Sequence, residues 1–254
     1  SDRRMNKGVI LAAGRGRRLG VLTRDRPKCM MLLGDKPLIL WQTDALRGAG
    51  ISEISVVRGY KGDQIDVGGV FFFENPRWSE TNMVISLTCA EAWLTQSDCI
   101  VSYADIVYCS AVIRQLMASS GAITITYDRK WLDLWHARFD DPLTDAETFK
   151  VNEQGRLVEI GARAKRLDDI EGQYMGLLKF TPTGWQMVSD ILQRLEGEER
   201  DRLDMTTLLR LCLDNNVAIH TVPVDGGWGE VDNENDLALY ERMLAEGGAF
   251  LGTE

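Results

Sequence analysis

The stretch Leu11-Ala12-Ala13-Gly14-Arg15-Gly16-Arg17-Arg18-Leu19, continuing to Thr23 and Arg26-Pro27-Lys28, carries the most chemistry in this chain. It follows the apolar run Val9-Ile10-Leu11, of the kind that forms a strand buried on both faces. Glycines at 14 and 16 let backbone N–H groups approach phosphate oxygens with no Cβ in the way. Arg18 and Lys28 can then neutralise the β- and γ-phosphate charge of a bound triphosphate. Leu11, Ala12, Ala13, Gly14, Gly16 and Arg17 are the expected nucleotide contacts. Two other glycine loops are excluded, because G-x-x-x-x-G-K and G-x-G-x-x-G both need glycine where Leu19 stands. The plain alternatives are a strand-to-loop turn and a solvated basic surface.

Two aspartates complete the candidate chemistry. Asp105 lies just beyond the apolar segment Cys99–Ser102, and Asp232 follows the Gly226–Gly229 turn. Magnesium favours a few carboxylates together with phosphate oxygens and water, so two aspartates reaching one α-phosphate would suit it. Each could equally be a strand-end or helix-capping carboxylate, and Glu230 is a weaker third ligand. Were a phosphate the attacking group, no general base would be needed, since a phosphate with a second pKa of about 6 is already an anion at neutral pH. The work left to the protein is positioning and charge stabilisation.

An acceptor needs its own site, and Asp128–Glu147 is the candidate, with Trp131, Asp133, Trp135, Arg138, Asp140, Asp141 and Asp145. Aromatic rings and acids together suit an ammonium group. Arg138 would suit a carboxylate or phosphate. The alternative is that Trp131 and Trp135, four residues apart, form the apolar face of a short helix.

The elements that must hold these residues alternate. Strands are expected at Lys7–Ala13, Ile51–Val57, Val70–Phe73, Cys99–Ser102, Ala122–Tyr127, Tyr174–Phe180 and Val217–Val224. Helices are expected at Pro37–Ala49, from Asn82 through Trp93, at Val112–Met117, Thr183–Leu195, Met205–Leu213 and Asn233–Leu244. A hairpin is expected around Asn152–Gly155. The pattern implies an α/β, Rossmann-like three-layer sandwich with a mostly parallel, mixed sheet, whose ligands sit at the carboxyl ends of the strands. Residues 1–254 read as a single domain with a lid-like insertion near 128–172.

Charge is uneven: residues 1–36 carry a net +7 and the remaining 218 a net −16. An acidic chain with one basic cluster suits a small polyanion such as a triphosphate, and not nucleic acid. No apolar run approaches the roughly 20 residues of a membrane span, and the first residues have no apolar core of a signal peptide. Met5 reads as a natural start. The five cysteines (29, 89, 99, 109 and 212) have no metal-binding spacing and suit buried thiols in a reducing cytoplasm.

The pattern L-A-A-G-x-G-x-R-L-x-x-L-T-x-x-x-P-K at 11–28 resembles the sugar-nucleotide transferase superfamily. Pro37-Leu38-Ile39 with Trp41-Gln42, Val57-x-Gly59-Tyr60, Ala104-Asp105, and Glu230-Val231-Asp232 with Asp236-Leu237 extend the likeness. Arg17 and Val21 depart from the usual Ser/Thr and Pro. Thr81-Asn82-Met83 with Ser86-Leu87 is similar to small-phosphate cytidylyltransferases, such as those for phosphocholine and 2-aminoethylphosphonate. The runs Ile100–Tyr108 and Pro142–Glu147 are similar to the phosphoglutamine cytidylyltransferase type. The resemblance implies transfer of NMP, from CTP above all, to a small phosphorylated acceptor with Mg²⁺. It adds Gly59, Tyr60, Asn82, Ser86 and Ala104 as nucleotide contacts. Tyr103 and Trp228, beside the two carboxylate segments, join Trp131, Trp135 and Arg138 as acceptor contacts. Two further readings are an NDP-sugar-forming enzyme and a regulatory nucleotide-binding domain. The sequence also admits a homo-oligomer.

Overall fold

In the computed structural model, which describes residues 6–16 and 22–247, the architecture starts from alternation on one strand. Strand β1 (Lys7–Ala12) sends Val9 and Leu11 into one apolar cluster and Ile10 and Ala12 into another, all at most 5% exposed. A strand buried on both faces must lie inside a sheet with a layer on each side. Fully burying one such aliphatic side chain is worth about 1.5–3 kcal/mol.

After the glycine loop, a small hairpin of β2 (Leu32–Leu33) and β3 (Lys36–Pro37) leads into α1 (Leu38–Gly48). Then come β4 (Ile54–Arg58), β5 (Phe71–Glu74), α2 (Met83–Thr88), α3 (Glu91–Leu94), β6 (Cys99–Tyr103), β7 (Ile106–Tyr108) and α4 (Ser110–Ala118). The chain continues through β8 (Ile123–Asp128), α5 (Trp131–Arg138), the hairpin β9 (Glu147–Val151) and β10 (Leu157–Arg163), and β11 (Gln173–Phe180). It ends with α6 (Pro182–Gln193), α7 (Gly197–Arg202), α8 (Met205–Asp214), β12 (His220–Val224), β13 (Trp228–Glu230) and α9 (Glu234–Ala245).

The main sheet has seven strands in the order β12-β8-β11-β6-β1-β4-β5. Pairings are parallel except those of β11, which runs antiparallel to both β6 and β8. One face carries α2, α3, α6 and α8 through Leu87, Leu94, Trp185 and Leu208. The other carries α1, α4 and α5 through Leu46, Ile113 and Trp135. The expected three-layer α/β sandwich with a mixed sheet is thus observed.

Departures from the expected elements have local causes. The helix expected from Asn82 through Trp93 is two helices. Thr88 Oγ1 and Cys89 Sγ both donate back to the Ile85 carbonyl, and the N–H of Ala90 reaches only to Leu87. Such back-bonding tightens the turn, and the axis breaks at Cys89-Ala90. Helix α7 (GEERDR) has no apolar residue and so no periodicity to read. Strands β7 and β13 are three residues long, below what alternation reveals, yet they pair antiparallel and position the site. Among the described residues no helix is long and apolar enough to cross a membrane.

Candidate active site

Sheet register brings the first two chemical segments together. Leu11 on β1 lies opposite Tyr103 on β6, so Ala12-Ala13-Gly14 and Ala104-Asp105 leave neighbouring strands side by side. The β7–β13 pair brings the third: Glu230 lies opposite Ile106, next to Asp105, and the Val231 N–H donates to the Asp105 carbonyl at 2.8 Å. Gln42 on α1 holds this turn from behind, its amide donating to the carbonyls of Ala104 and Ile106, both at 2.8 Å.

The glycine loop is braced from β4. The Tyr60 N–H donates to the Ala13 carbonyl at 3.0 Å, and its hydroxyl donates to the carbonyls of Thr23 (2.6 Å) and Arg24 (3.0 Å). A Cβ on Gly59 would stand 2.9 Å from the Ala13 carbonyl oxygen and 2.6 Å from Trp78 Cβ, so only glycine lets this strand end come so close. Gly16 has φ +68° and would press a Cβ to 2.9 Å from Lys28 Cδ. Gly59 and Tyr60 therefore support the loop from behind it. Arg17 and Arg18 lie outside the described residues.

Lys28 stands between the two expected carboxylates, its Nζ 3.2 Å from Asp105 Oδ2 and 3.7 Å from Asp232 Oδ1. Burial alone would lower its pKa; the charges of Asp105 and Asp232, with the Asp105 hydrogen bond, outweigh that and raise it. Asp105, Glu230 and Asp232 each offer a carboxylate oxygen within 4.8 Å of the others. Asp105 Oδ1 is buried without a hydrogen-bond partner. Burial and the neighbouring Asp232 and Asp105 push Glu230 up to about 8. Crowded carboxylates with an unsatisfied buried oxygen fit a hard divalent cation. The helix-capping alternative for Asp232 is removed, since Asn233 caps α9 by accepting from the Asp236 N–H.

Three hollows meet here and share Met83. One of about 190 Å³ runs over Leu11, Ala12, Gly14, Gly16, Lys28, Cys29, Ala104 and Asp105. A second, of about 120 Å³, is walled by Leu11, Ala13, Gly14, Trp78, Thr81, Asn82 and Ser86. Asn82 also caps α2, accepting from the Met83 N–H, and Ser86 accepts from Asn75 Nδ2 at 2.9 Å. The third, about 260 Å³, is lined by Tyr103, Asp145, Glu147, Gln173, Tyr174, Asp204, Thr206, Glu230 and Asp232 among others. In it, burial and the nearby Asp204 raise the pKa of Glu147. The Tyr174 hydroxyl donates to that of Tyr103 at 3.1 Å, and burial keeps both phenols protonated by raising their pKa values.

Of Tyr103, Trp131, Trp135, Arg138 and Trp228, expected as acceptor contacts, only Tyr103 lines this third hollow, together with Asp145 and Glu147 from the end of the expected segment. Trp131 and Trp135 are 4% and 0% exposed, packed in the core beneath α5 with the Trp135 ring 6.1 Å from that of Trp228. Trp228 donates its indole N–H to buried Asp128 at 2.8 Å and borders a separate hollow with Leu134 and Met243. Spacing of i and i+4 made an apolar helix face, and packing used it. Arg138 has no side-chain exposure at all. Its guanidinium is bidentate on Asp236 and reaches Glu230 and Asp232 at 3.3 Å, so it is spent on the carboxylate cluster and not offered to a ligand.

Sequence reasoning missed Trp78, Thr81 and Asp204 as lining residues and Asp236 as the partner of Arg138. Asp204 gave one signal, an Asp three residues before Thr207 at a helix start, but that signal reads as a cap, which it also is.

Fold and site together define a nucleotidyltransferase: a mixed Rossmann-like sheet with a glycine loop and an acidic cluster on the rim formed by the carboxyl ends of its parallel strands. The chain belongs to the family of the MobA-like NTP transferase domain, which matches residues 8–167. It is 37% identical over 252 residues to CTP:phosphoglutamine cytidylyltransferase of Campylobacter jejuni, covering 91% of this chain and 97% of that one. Choline-phosphate cytidylyltransferase of Streptococcus pneumoniae is 35% identical over 95 residues, 36% of this chain and 42% of its own length. The solved structure of CTP:phosphocholine cytidylyltransferase from Streptococcus pneumoniae shares the fold, with TM-score 0.73 and 23% identity over 94% of this chain and 99% of that one.

Proposed function

We propose that this nucleotidyltransferase moves CMP from CTP to a small phosphorylated acceptor carrying a cationic amine, with Mg²⁺ and with release of pyrophosphate. The observation that carries the acceptor is the 260 Å³ hollow beside the carboxylate cluster. Asp145, Glu147 and Asp204 line it, and no Lys or Arg is among its described lining residues. An ammonium group is the natural counter-charge there. The assignment of CTP is supported by the relatives, whose named acceptors, phosphoglutamine and phosphocholine, both bear a cationic nitrogen.

In this reading the backbone of the 12–16 loop cradles the triphosphate. The smallest hollow, between Trp78 and Ser86, takes the base. Asp105 and Asp232, with Glu230, would hold Mg²⁺, which supplies positive charge against phosphate oxygens when bound. The acids of the third hollow fix the amine, so that the acceptor phosphate faces the α-phosphorus. A phosphate oxygen attacks in line, the bond to pyrophosphate breaks, and Lys28 with Arg18 neutralises the departing charge. Residues 128–172, which contribute Asp145 and Glu147, form the acceptor's cover.

The test is pyrophosphate release with Mg²⁺ across four NTPs and a panel of phosphorylated amines and sugar 1-phosphates. The expected outcome is activity confined to CTP and an amine-bearing acceptor. Faster turnover of neutral sugar 1-phosphates would replace this reading with NDP-sugar synthesis, and no turnover of any pair would remove it.

A further inference from the structure

Arg138 comes from α5, in the segment between β8 and β11, and ends among acids of the last part of the chain. Its Nε and Nη2 each bond Asp236 at 2.9 Å, a planar fork on a carboxylate that is 1% exposed. Nη2 also reaches Asp232 Oδ2, and Nη1 reaches Glu230 Oε2. Trp135 and Phe139 place their rings 4.8 Å from the guanidinium carbon. Asp236 Oδ2 in turn accepts from the Asp232 backbone N–H at 2.8 Å. The backbone and the side chain of Asp232 are thus both tied to one Arg–Asp pair. Asp232 Oδ1 is left on the side of Lys28, 3.7 Å from its Nζ.

We propose that Arg138 is a positioning residue, which directly, and for Asp232 also through Asp236, selects the oxygens that Asp232 and Glu230 present to a divalent cation. The inference rests on the reading of Asp105, Asp232 and Glu230 as cation ligands. A guanidinium held at two points cannot rotate, so the oxygens it takes are fixed and Asp232 Oδ1 and Glu230 Oε1 are the ones not bonded to it. Lysine would keep the charge and lose the fork. Outer partners of this kind typically set about 10–100-fold in metal affinity.

The experiment measures Mn²⁺ binding to the nucleotide-free protein by the EPR signal of free Mn²⁺, with circular dichroism as the folding control. Wild type, Arg138→Lys, Asp236→Asn and Asp105→Asn are compared. Arg138→Lys is expected to fold and to bind Mn²⁺ at least about tenfold more weakly, with Asp236→Asn shifted the same way. Folded Arg138→Lys with wild-type Mn²⁺ affinity overturns the proposal, since a purely structural role would move only Tm. Should Arg138→Lys not fold, Asp236→Asn decides by the same criterion. Wild-type protein that does not bind Mn²⁺, or Asp105→Asn that binds it unchanged, fails the cation reading and this inference with it. Normal binding by wild type, loss in Asp105→Asn and no change in Arg138→Lys fails this inference alone.

Discussion

Val231 donates its backbone N–H to the carbonyl of Asp105 at 2.8 Å, and that one bond joins two carboxylate segments more than a hundred residues apart. The sheet sets one side of the site and the three-residue β7–β13 pair sets the other. The backbone of the candidate cation site is therefore placed by strand pairing, which does not run through the carboxylate side chains themselves.

That independence yields the first prediction. Asp105→Asn and Asp232→Asn should each cut pyrophosphate release at saturating Mg²⁺ by at least about 10²-fold, the scale for losing one preorganised charge-stabilising group. Neither change touches a helix cap, because Asn233 holds that position on α9. Activity within a few-fold of wild type in either folded variant would remove that residue from the chemistry.

The second concerns Gln42, whose amide satisfies the carbonyls of Ala104 and Ile106 on either side of Asp105. Leucine keeps the volume and deletes both donors. Leaving a buried acceptor unsatisfied costs about 1–3 kcal/mol, so Gln42→Leu should lower stability by that order in denaturant melts. It should also raise the Mg²⁺ concentration for half-maximal turnover, since Asp105 sits on the turn it releases. A melt indistinguishable from wild type would mean that water replaces the amide.

The third corrects the reading of the tryptophans. Trp135 has no exposed surface and touches the core beneath α5. Trp135→Ala should cost about 3–5 kcal/mol of stability, as large-to-small core changes do. In any folded fraction it should weaken CTP and acceptor together. A rise in acceptor KM alone, with an unchanged melting curve, would return the ring to the acceptor site.

The contrast between Asp105 and Trp135 indicates what could be read from sequence. The glycine loop after a buried strand, and an aspartate just past another, follow from strand periodicity and from where ligands bind parallel sheets. Both segments lie on the rim where they were expected. Composition points to Arg138, Trp131 and Trp135 as acceptor contacts, but composition does not say which face of a helix packs inward. Arg138 needed Asp236, nearly a hundred residues on, to show what it binds. Glu147 and Asp204 meet only because β9 and the start of α8 approach the same rim.

The last prediction is built on that meeting. Asp204 Oδ1 accepts from the Thr207 N–H at 2.8 Å, and Asp204 lines the acidic hollow. Asparagine would keep the cap and remove the charge. Glu147→Gln likewise keeps size and polarity. If the two acids hold an ammonium group, each change forfeits a charge-assisted bond worth about 1.5–3 kcal/mol. The acceptor KM should then rise about 10–100-fold while the CTP KM stays within a factor of about two, since 1.4 kcal/mol is tenfold. Burial, and after it the charge of Asp204, raises the pKa of Glu147, so the two acids are held together at a cost. Either variant alone should therefore be at least as stable as wild type without acceptor, and it should lose the thermal shift that acceptor gives wild type. Initial rates with CTP and acceptor varied separately, beside melts with and without acceptor, supply both measurements. Equal rises in both KM values, or an acceptor KM that does not move, would place the amine elsewhere.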